Sequence, residues 1–239
     1  MGQNKLRKFA EVAEFKNCVE PSREEAMTEG LSFKGNWQKE FFKNDNPIVL
    51  ELACGGGEYS VALAEMYPDK NFIGIDIKGN RIWKGASKAI EKGITNVGFL
   101  RTRIDFLQNC FAQNEVSEIW ITFPDPQPQS NRRRKRLTHP IFLNKYQMVL
   151  KPEGIVRLKT DSSLLYEFTN EVVTDFNLPT VDNTANVYEE FIQQCDRKEL
   201  VEELHIKTYY ENMWLKEGKK IKYISFSLPI NSTFDDKKY

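Results

Sequence analysis

The sequence predicts an α/β domain: a mostly parallel, twisted sheet of about seven strands with helices on both faces. Short β-branched or apolar runs alternate with helical patterns from Asn46 onward, the sign of βαβ units. The first run enters a helix through three consecutive glycines, Gly55, Gly56 and Gly57. No Gly/Ser/Pro-rich linker, internal repeat or low-complexity tract divides the 239 residues, so one domain is expected.

Residues 1–44 are polar and aromatic, with helix-like fragments such as Leu6–Val12 and no strong strand, and read as a short N-terminal extension. The expected strands are Ile48–Leu52, Asn71–Ile77, Asn96–Leu100, Glu118–Phe123 and Gly154–Thr160. Helical patterns fall between them at Glu58–Tyr67, Arg81–Lys92, Asp105–Phe111 and Pro140–Leu150, where Pro140 suits a first helical turn. Ser162–Asp175 reads as another helix. Lys219–Leu228 alternates well enough for a last strand, antiparallel at one end of the sheet.

Forty per cent hydrophobic and 28% charged residues exclude a disordered or collagen-like chain. Lys plus Arg and Asp plus Glu both number 34, and this zero net charge argues against a general polyanion binder while saying nothing of local clusters. No apolar stretch approaches the roughly 18 residues that cross a bilayer. Met1–Lys5 leads into mixed charge instead of an apolar signal core, so a cytoplasmic protein without membrane contact is expected. Cys18, Cys54, Cys110 and Cys195 are scattered without a C-x-x-C pair; four reduced thiols and no metal are expected.

The glycine turn lets a ligand approach backbone that carries no Cβ. Glu51, at the strand end before it, would repel a diphosphate but suit a cationic ligand. Asp76 ends the second strand, where a carboxylate accepts hydrogen bonds from a ribose hydroxyl pair. S-adenosyl-L-methionine, a sulfonium nucleoside, meets both requirements. The plainer reading is a strand-to-helix turn with Asp76 as a helix cap.

The fourth strand runs into Pro124-Asp125-Pro126-Gln127-Pro128, prolines stiffening the backbone that presents Asp125. Carboxyl ends of parallel strands are where such sheets place their sites, which makes this the expected reaction centre. Arg132, Arg133, Arg134, Lys135 and Arg136 follow. A charge run is usually a solvated face; beside a nucleoside pocket it suits an RNA phosphate backbone.

These residues resemble the tRNA (guanine-N(7)-)-methyltransferases. Phe123-Pro124-Asp125-Pro126-Gln127-Pro128, the basic run and Lys135-Arg136-Leu137-Thr138 are similar to the family's F-x-D-P-W-P-K-K-x-H-x-K-R-R-L-like segment. Lys159-Thr160-Asp161 is similar to its T-D after the fifth strand, and Thr208-Tyr209-Tyr210-Glu211 to its C-terminal T-x-[YF]-E. The resemblance spans about residues 46–228 and covers the first forty residues least.

The resemblance implies a Rossmann-like class I methyltransferase fold over residues 45–239 behind the 1–44 extension. It implies S-adenosyl-L-methionine as donor and methylation of guanine 46 in the tRNA variable loop. Carried over by motif, Glu51, Gly55, Gly57 and Asp76 would hold the cofactor, with Arg103 on its adenine side. Asp125 would border the cofactor and serve as the catalytic residue. Gln129, Asp161, Thr208, Tyr209, Tyr210 and Glu211 would contact substrate, and Arg132 to Arg136 the tRNA backbone. There are three departures: Ala53 stands where the family usually has Gly, Gln129 where it has Lys, and Arg103, two residues before Asp105, where it has an acid or amide.

Guanine N7 has a lone pair and no proton, so its attack on a sulfonium methyl needs no base. The [DN]-P-P-[YFW] pattern of exocyclic-amine methyltransferases is not matched at Asp125-Pro126-Gln127-Pro128. Asp125 is therefore expected to orient the base and stabilise charge developing on it, while alignment of N7, methyl and sulfur supplies most of the rate. Of the aromatic candidates for stacking on a base, Trp214 and Phe123 read as core. Tyr209 and Tyr210 are adjacent, so at most one is expected to reach substrate. His139 and His205 read as structural. A nicotinamide oxidoreductase and an inactive RNA-binding protein of the same fold stand as alternatives. The length leaves no room for a separate RNA-binding domain, so the catalytic domain would grip tRNA itself, as monomer or homodimer.

Overall fold

A computed structural model describes residues 2–230 and 232–239. The helices are α1 (Gly2–Glu14), α2 (Glu58–Met66), α3 (Gly79–Glu91), α4 (Leu107–Cys110), α5 (Pro140–Val149), α6 (Ser163–Asp175), α7 (Ile192–Gln194), α8 (Lys198–His205) and α9 (Tyr209–Lys216). The strands are β1 (Cys18–Val19), β2 (Ile48–Leu52), β3 (Asn71–Asp76), β4 (Val97–Arg101), β5 (Val116–Thr122), β6 (Leu150–Thr160), β7 (Thr180–Thr184) and β8 (Lys222–Ser227).

They form one sheet in the order β1-β4-β3-β2-β5-β6-β8-β7. β1 to β6 pair in parallel, and β8 runs antiparallel to both β6 and β7. Every residue of β2 and β3 is buried, because helices cover both faces and a central parallel strand meets no solvent. Alternate side chains feed two cores. Leu50, Ile73 and Ile121 pack with Leu143 of α5 and Leu165 of α6, while Val49, Phe72 and Trp120 pack with Val61 of α2 and Ile82 of α3.

The α/β sheet is as expected, with differences at its margins. Among the described residues it has eight strands, two of which the pattern did not reveal. β1 comes from the N-terminal segment and is two residues long, too short to show a period. β7 is a polar edge strand (TVDNT) whose residues are mostly exposed. The last strand is antiparallel but lies inside the sheet, between β6 and β7. β6 begins at Leu150 instead of Gly154, and α5 ends at Val149. Residues 31–42 are also part of the main core. Trp37 is 1% exposed and its indole donates to the Cys110 carbonyl at 2.8 Å.

Candidate active site

From β2 the chain winds to β3 and β4 on one side and returns through β5 and β6 on the other. The strand order therefore reverses between β2 and β5, and ligands bind where the carboxyl ends of strands part at such a point. A cavity of about 380 Å³ opens at the carboxyl ends of β2, β3 and β4. Ala53, Ile77, Ile104, Leu137 and Phe142 give it an apolar lining, and Asp76, Thr102, Arg103, Asp105, Arg134 and Lys135 supply polar groups. A larger cavity of about 470 Å³ lies around the start of β6, is lined by amides such as Gln113 and Gln147, and holds none of the sequence-predicted residues.

The turn after β2 carries three left-handed residues: Ala53 at φ +58°, Gly55 at +56° and Gly57 at +67°. A Cβ on Gly57 would come within 2.4 Å of the Phe99 ring, so that glycine is required by packing as well as by φ. Ala53 carries its Cβ at a cost of about 1–2 kcal/mol for a left-handed L-residue, so glycine would be accepted there without strain. The Gly55 N–H donates to Asp76 Oδ2 at 3.0 Å, and Lys78 N–H to Oδ1 at 2.8 Å. Asp76 is thus fixed in the cavity wall by two backbone donors.

Glu51 is 3% exposed and does not line the cavity. Its carboxylate accepts from Ser60 N–H at 2.8 Å, Ser60 Oγ at 2.5 Å and Thr122 Oγ1 at 2.6 Å, clamping α2 and β5 to β2. Burial pushes its pKa up to about 7 against those bonds. The carboxylate is thus held inside the fold beneath the glycine turn instead of facing the cleft. Arg103 lines the cavity and is paired with Asp105 at 3.1 Å.

Asp125 is exposed just beyond β5, and its Oδ1 accepts the Gln127 N–H at 3.0 Å. The residues two before and two after it are both left-handed, Phe123 at φ +49° and Gln127 at +47°. Such strain at non-glycine residues persists only where surrounding contacts hold it. Phe123 N–H donates to the Lys159 carbonyl at 2.8 Å, and the Arg136 guanidinium donates to the Gln127 carbonyl at 3.2 Å.

Ser130–Lys135 forms a short helical turn beside the cavity. The five cations do not share one role. Arg136 is 5% exposed, lies 4.6 Å from the Phe168 ring and braces the Asp125 turn, so its guanidinium is turned inward in this structure. Arg134 pairs with Asp236, and Arg133 sits over Phe168 within 3.8 Å of Glu171. Arg132 and Lys135 are exposed, with no acidic partner among the described residues. Gln129, also exposed, precedes the turn and accepts the Arg132 N–H with its carbonyl.

Asp161 follows β6, half-buried, 3.5 Å from Lys219. Thr208 and Glu211 are buried: the Thr208 hydroxyl caps α9 by accepting the Glu211 N–H, and the Glu211 carboxylate is fully enclosed against Lys159 and Tyr188. Tyr209 and Tyr210 are 65% and 43% exposed and meet edge to face at 5.5 Å. Both rings face solvent, because the pair opens α9 at the surface and adjacency does not bury either one. Trp214 and Phe123 pack against the second core, as expected. His139 is fully buried as the cap of α5, its Nδ1 accepting from Ile141 N–H, and burial pulls its pKa down to about 4. His205 bonds the Val201 carbonyl. Among the described residues, no group of three or more His, Cys, Asp or Glu side chains fits a metal ion, and no helix is long and apolar enough to cross a membrane. Lys159 and Arg136 were noted in the sequence only as part of a motif and of the basic run; that both bond the Asp125 turn was not foreseen, because their partners lie 36 and 9 residues away.

A glycine turn, a fixed acid at the end of the neighbouring strand and a cleft at the switch point define a Rossmann-like class I methyltransferase fold. The same fold is found in a solved "Antibiotic Related Methyltransferase", with a TM-score of 0.59 at 16% identity over 84% of this chain and 96% of that one. Residues 45–224 match the family described as "Putative methyltransferase". The chain is 48% identical to the tRNA (guanine-N(7)-)-methyltransferase of Christiangramia forsetii over 95% of its own length and 98% of that protein. It is 46% identical to the enzyme of the same name from Bacteroides thetaiotaomicron, over 96% and 87% of the two chains. It belongs to the tRNA (guanine-N(7)-)-methyltransferase family, and the nicotinamide and non-enzymatic readings fall away.

Proposed function

We propose that the chain transfers the methyl group of S-adenosyl-L-methionine to N7 of guanine 46 in the variable loop of tRNA, in the cytoplasm. The observation that carries this reading is the cleft itself, with anchored Asp76 on one wall and the basic Ser130–Lys135 turn on the other.

The cleft residues fit the cofactor. Asp76 Oδ1 and Oδ2 keep lone pairs beyond their two backbone bonds and suit ribose hydroxyls. The apolar side formed by Ile77, Ile104, Leu137 and Phe142 suits an adenine ring. When bound, the cofactor supplies an electrophilic methyl on a sulfonium. Since N7 carries no proton, no residue need act as base. Asp125 keeps its second oxygen for the N–H edge of the guanine, and its charge stabilises the positive charge that the purine gains. Arg132 and Lys135 are the phosphate contacts, while Asp161, Gln129 and the Tyr209–Tyr210 pair meet substrate. Thr208 and Glu211 act beneath that surface by holding α9. Residues 45–239 form the catalytic unit, completed by the N-terminal 1–44.

The test is incubation with unmodified tRNA and methyl-labelled cofactor, followed by strand cleavage specific for 7-methylguanosine. Cleavage at guanine 46, abolished when that base is replaced by adenine, is expected. Label in another nucleoside, or none, overturns the reading.

A further inference from the structure

Lys159 stands one residue before the end of β6 with none of its surface exposed. A buried ammonium is costly unless each proton finds an acceptor. Here each does: Nζ donates to the Leu204 carbonyl at 2.7 Å, to the Ile206 carbonyl at 3.0 Å and to the Glu211 carboxylate. The first two are carbonyls at the end of α8, which a helix leaves without internal partners. The rings of Tyr59, Phe123 and Tyr188 enclose Nζ at 5.5–5.8 Å, and the Tyr188 hydroxyl donates to Glu211 at 2.6 Å. Burial pulls the Lys159 pKa down and Glu211 opposes it. A neutral amine could serve only two acceptors, so three acceptors call for the charged form.

The main chain of the same residue does a second job. Its carbonyl accepts the Phe123 N–H at 2.8 Å and so holds the left-handed residue from which the Asp125 turn begins. We propose that Lys159 is a positioning residue that locks the Asp125 turn to the α8–α9 segment presenting Tyr209 and Tyr210, so that both walls of the RNA site keep one relative geometry. This role rests on the methyl-transfer reading above. Stability alone does not account for it, since a packed apolar pair holds a core at least as well as a buried ion pair. Directional bonds to three acceptors fix an angle that apolar packing leaves loose.

The variant Lys159→Met/Glu211→Met removes both charges and keeps side chains of similar length. It should fold and bind S-adenosylhomocysteine within about twofold of the wild type, while kcat for tRNA methylation falls about tenfold or more. A double-mutant cycle then reads the coupling. With Lys159 present, the effects of Asp125→Ala and Tyr209→Ala on kcat/KM should depart from multiplicativity by about fivefold; in the Met/Met background they should multiply within about twofold. Wild-type kcat in the Met/Met protein, or undiminished coupling, overturns the proposal. Should that variant not fold, Tyr188→Phe removes one hydroxyl from the same junction: weakened coupling supports the proposal and unchanged coupling overturns it. A wild-type protein that methylates no guanine sinks the site reading and this role together; an active wild type matched by the Met/Met protein sinks this role alone.

Discussion

Glu51 has three donors on its carboxylate, yet burial outweighs them and lifts its pKa from 4.5 to about 7. Between those two values the folded protein keeps a proton that the unfolded chain has released, so this side chain's contribution to stability falls as pH rises through the window. His139 works the other way. Its pKa is lowered from 6.5 to about 4, so over that range the unfolded chain gains a proton that the folded protein refuses, and stability rises with pH. The two slopes oppose each other, and the wild-type profile alone hides both. Denaturant unfolding of matched pairs separates them. Relative to wild type, Glu51→Gln should gain stability on the order of 3 kcal/mol as pH rises from about 4.5 to about 7. His139→Asn should lose ground to wild type as pH rises from about 4 to 6.5. Parallel curves for wild type and Glu51→Gln would show that Glu51 titrates as an ordinary carboxylate.

The Ser130–Lys135 turn carries the net positive charge of the site, but its neighbours decide which cations are free. Arg132→Ala and Lys135→Ala should each weaken tRNA binding and lower the slope of log affinity against log salt by about 1. Arg136→Ala should instead cost stability, about 1–3 kcal/mol, through the lost Gln127 brace and Phe168 contact. Its salt slope should match wild type, which binding measured at several salt concentrations will check; a slope lowered as much as in Arg132→Ala would return Arg136 to the RNA surface. The basic run was legible as composition, whereas its division into free and spent cations was not, because Phe168 and Asp236 lie far along the chain. The same contrast holds for the elements. β2 to β5 are legible because burial makes them largely apolar, and β6 through its mostly buried second half, while β1 and β7, at the sheet's edges, are too short or too polar. Asp76 and Asp125 stood out in the sequence because strand ends mark them, and the structure sets Asp76 in the cleft wall and Asp125 just beyond β5. The bonds that spend Glu51, Glu211 and Arg136 internally cross 9 to 71 residues and leave no trace in spacing.

At the scale of the whole molecule, the zero net charge averages unlike regions, and the N-terminal residues prove to be part of the sheet instead of an appendage. The Phe99 N–H donates to the Asn17 carbonyl at 2.8 Å, and β1 registers Cys18 against Phe99. α1 lies on α3: Val12 is fully buried, Lys8 sits 4.3 Å over the Trp83 ring, and the Trp83 indole donates to Glu11. Phe9 packs so closely on Gly79 that a Cβ there would meet the ring at 2.9 Å. Gly79 opens α3 next to Lys78, whose N–H holds Asp76, so α1 supports the Asp76 wall of the cleft from behind. Deleting residues 1–20 strips the β4 edge and that support together. It should lower Tm by about 5–10 °C for a chain of this size. It should also weaken S-adenosylhomocysteine binding, read as a smaller ligand-induced rise in Tm at equal ligand concentration. A truncated protein that melts with the full chain and gains the same rise would show that the Asp76 wall stands without α1 and β1. A loss of Tm with an undiminished ligand response would assign them to stability alone.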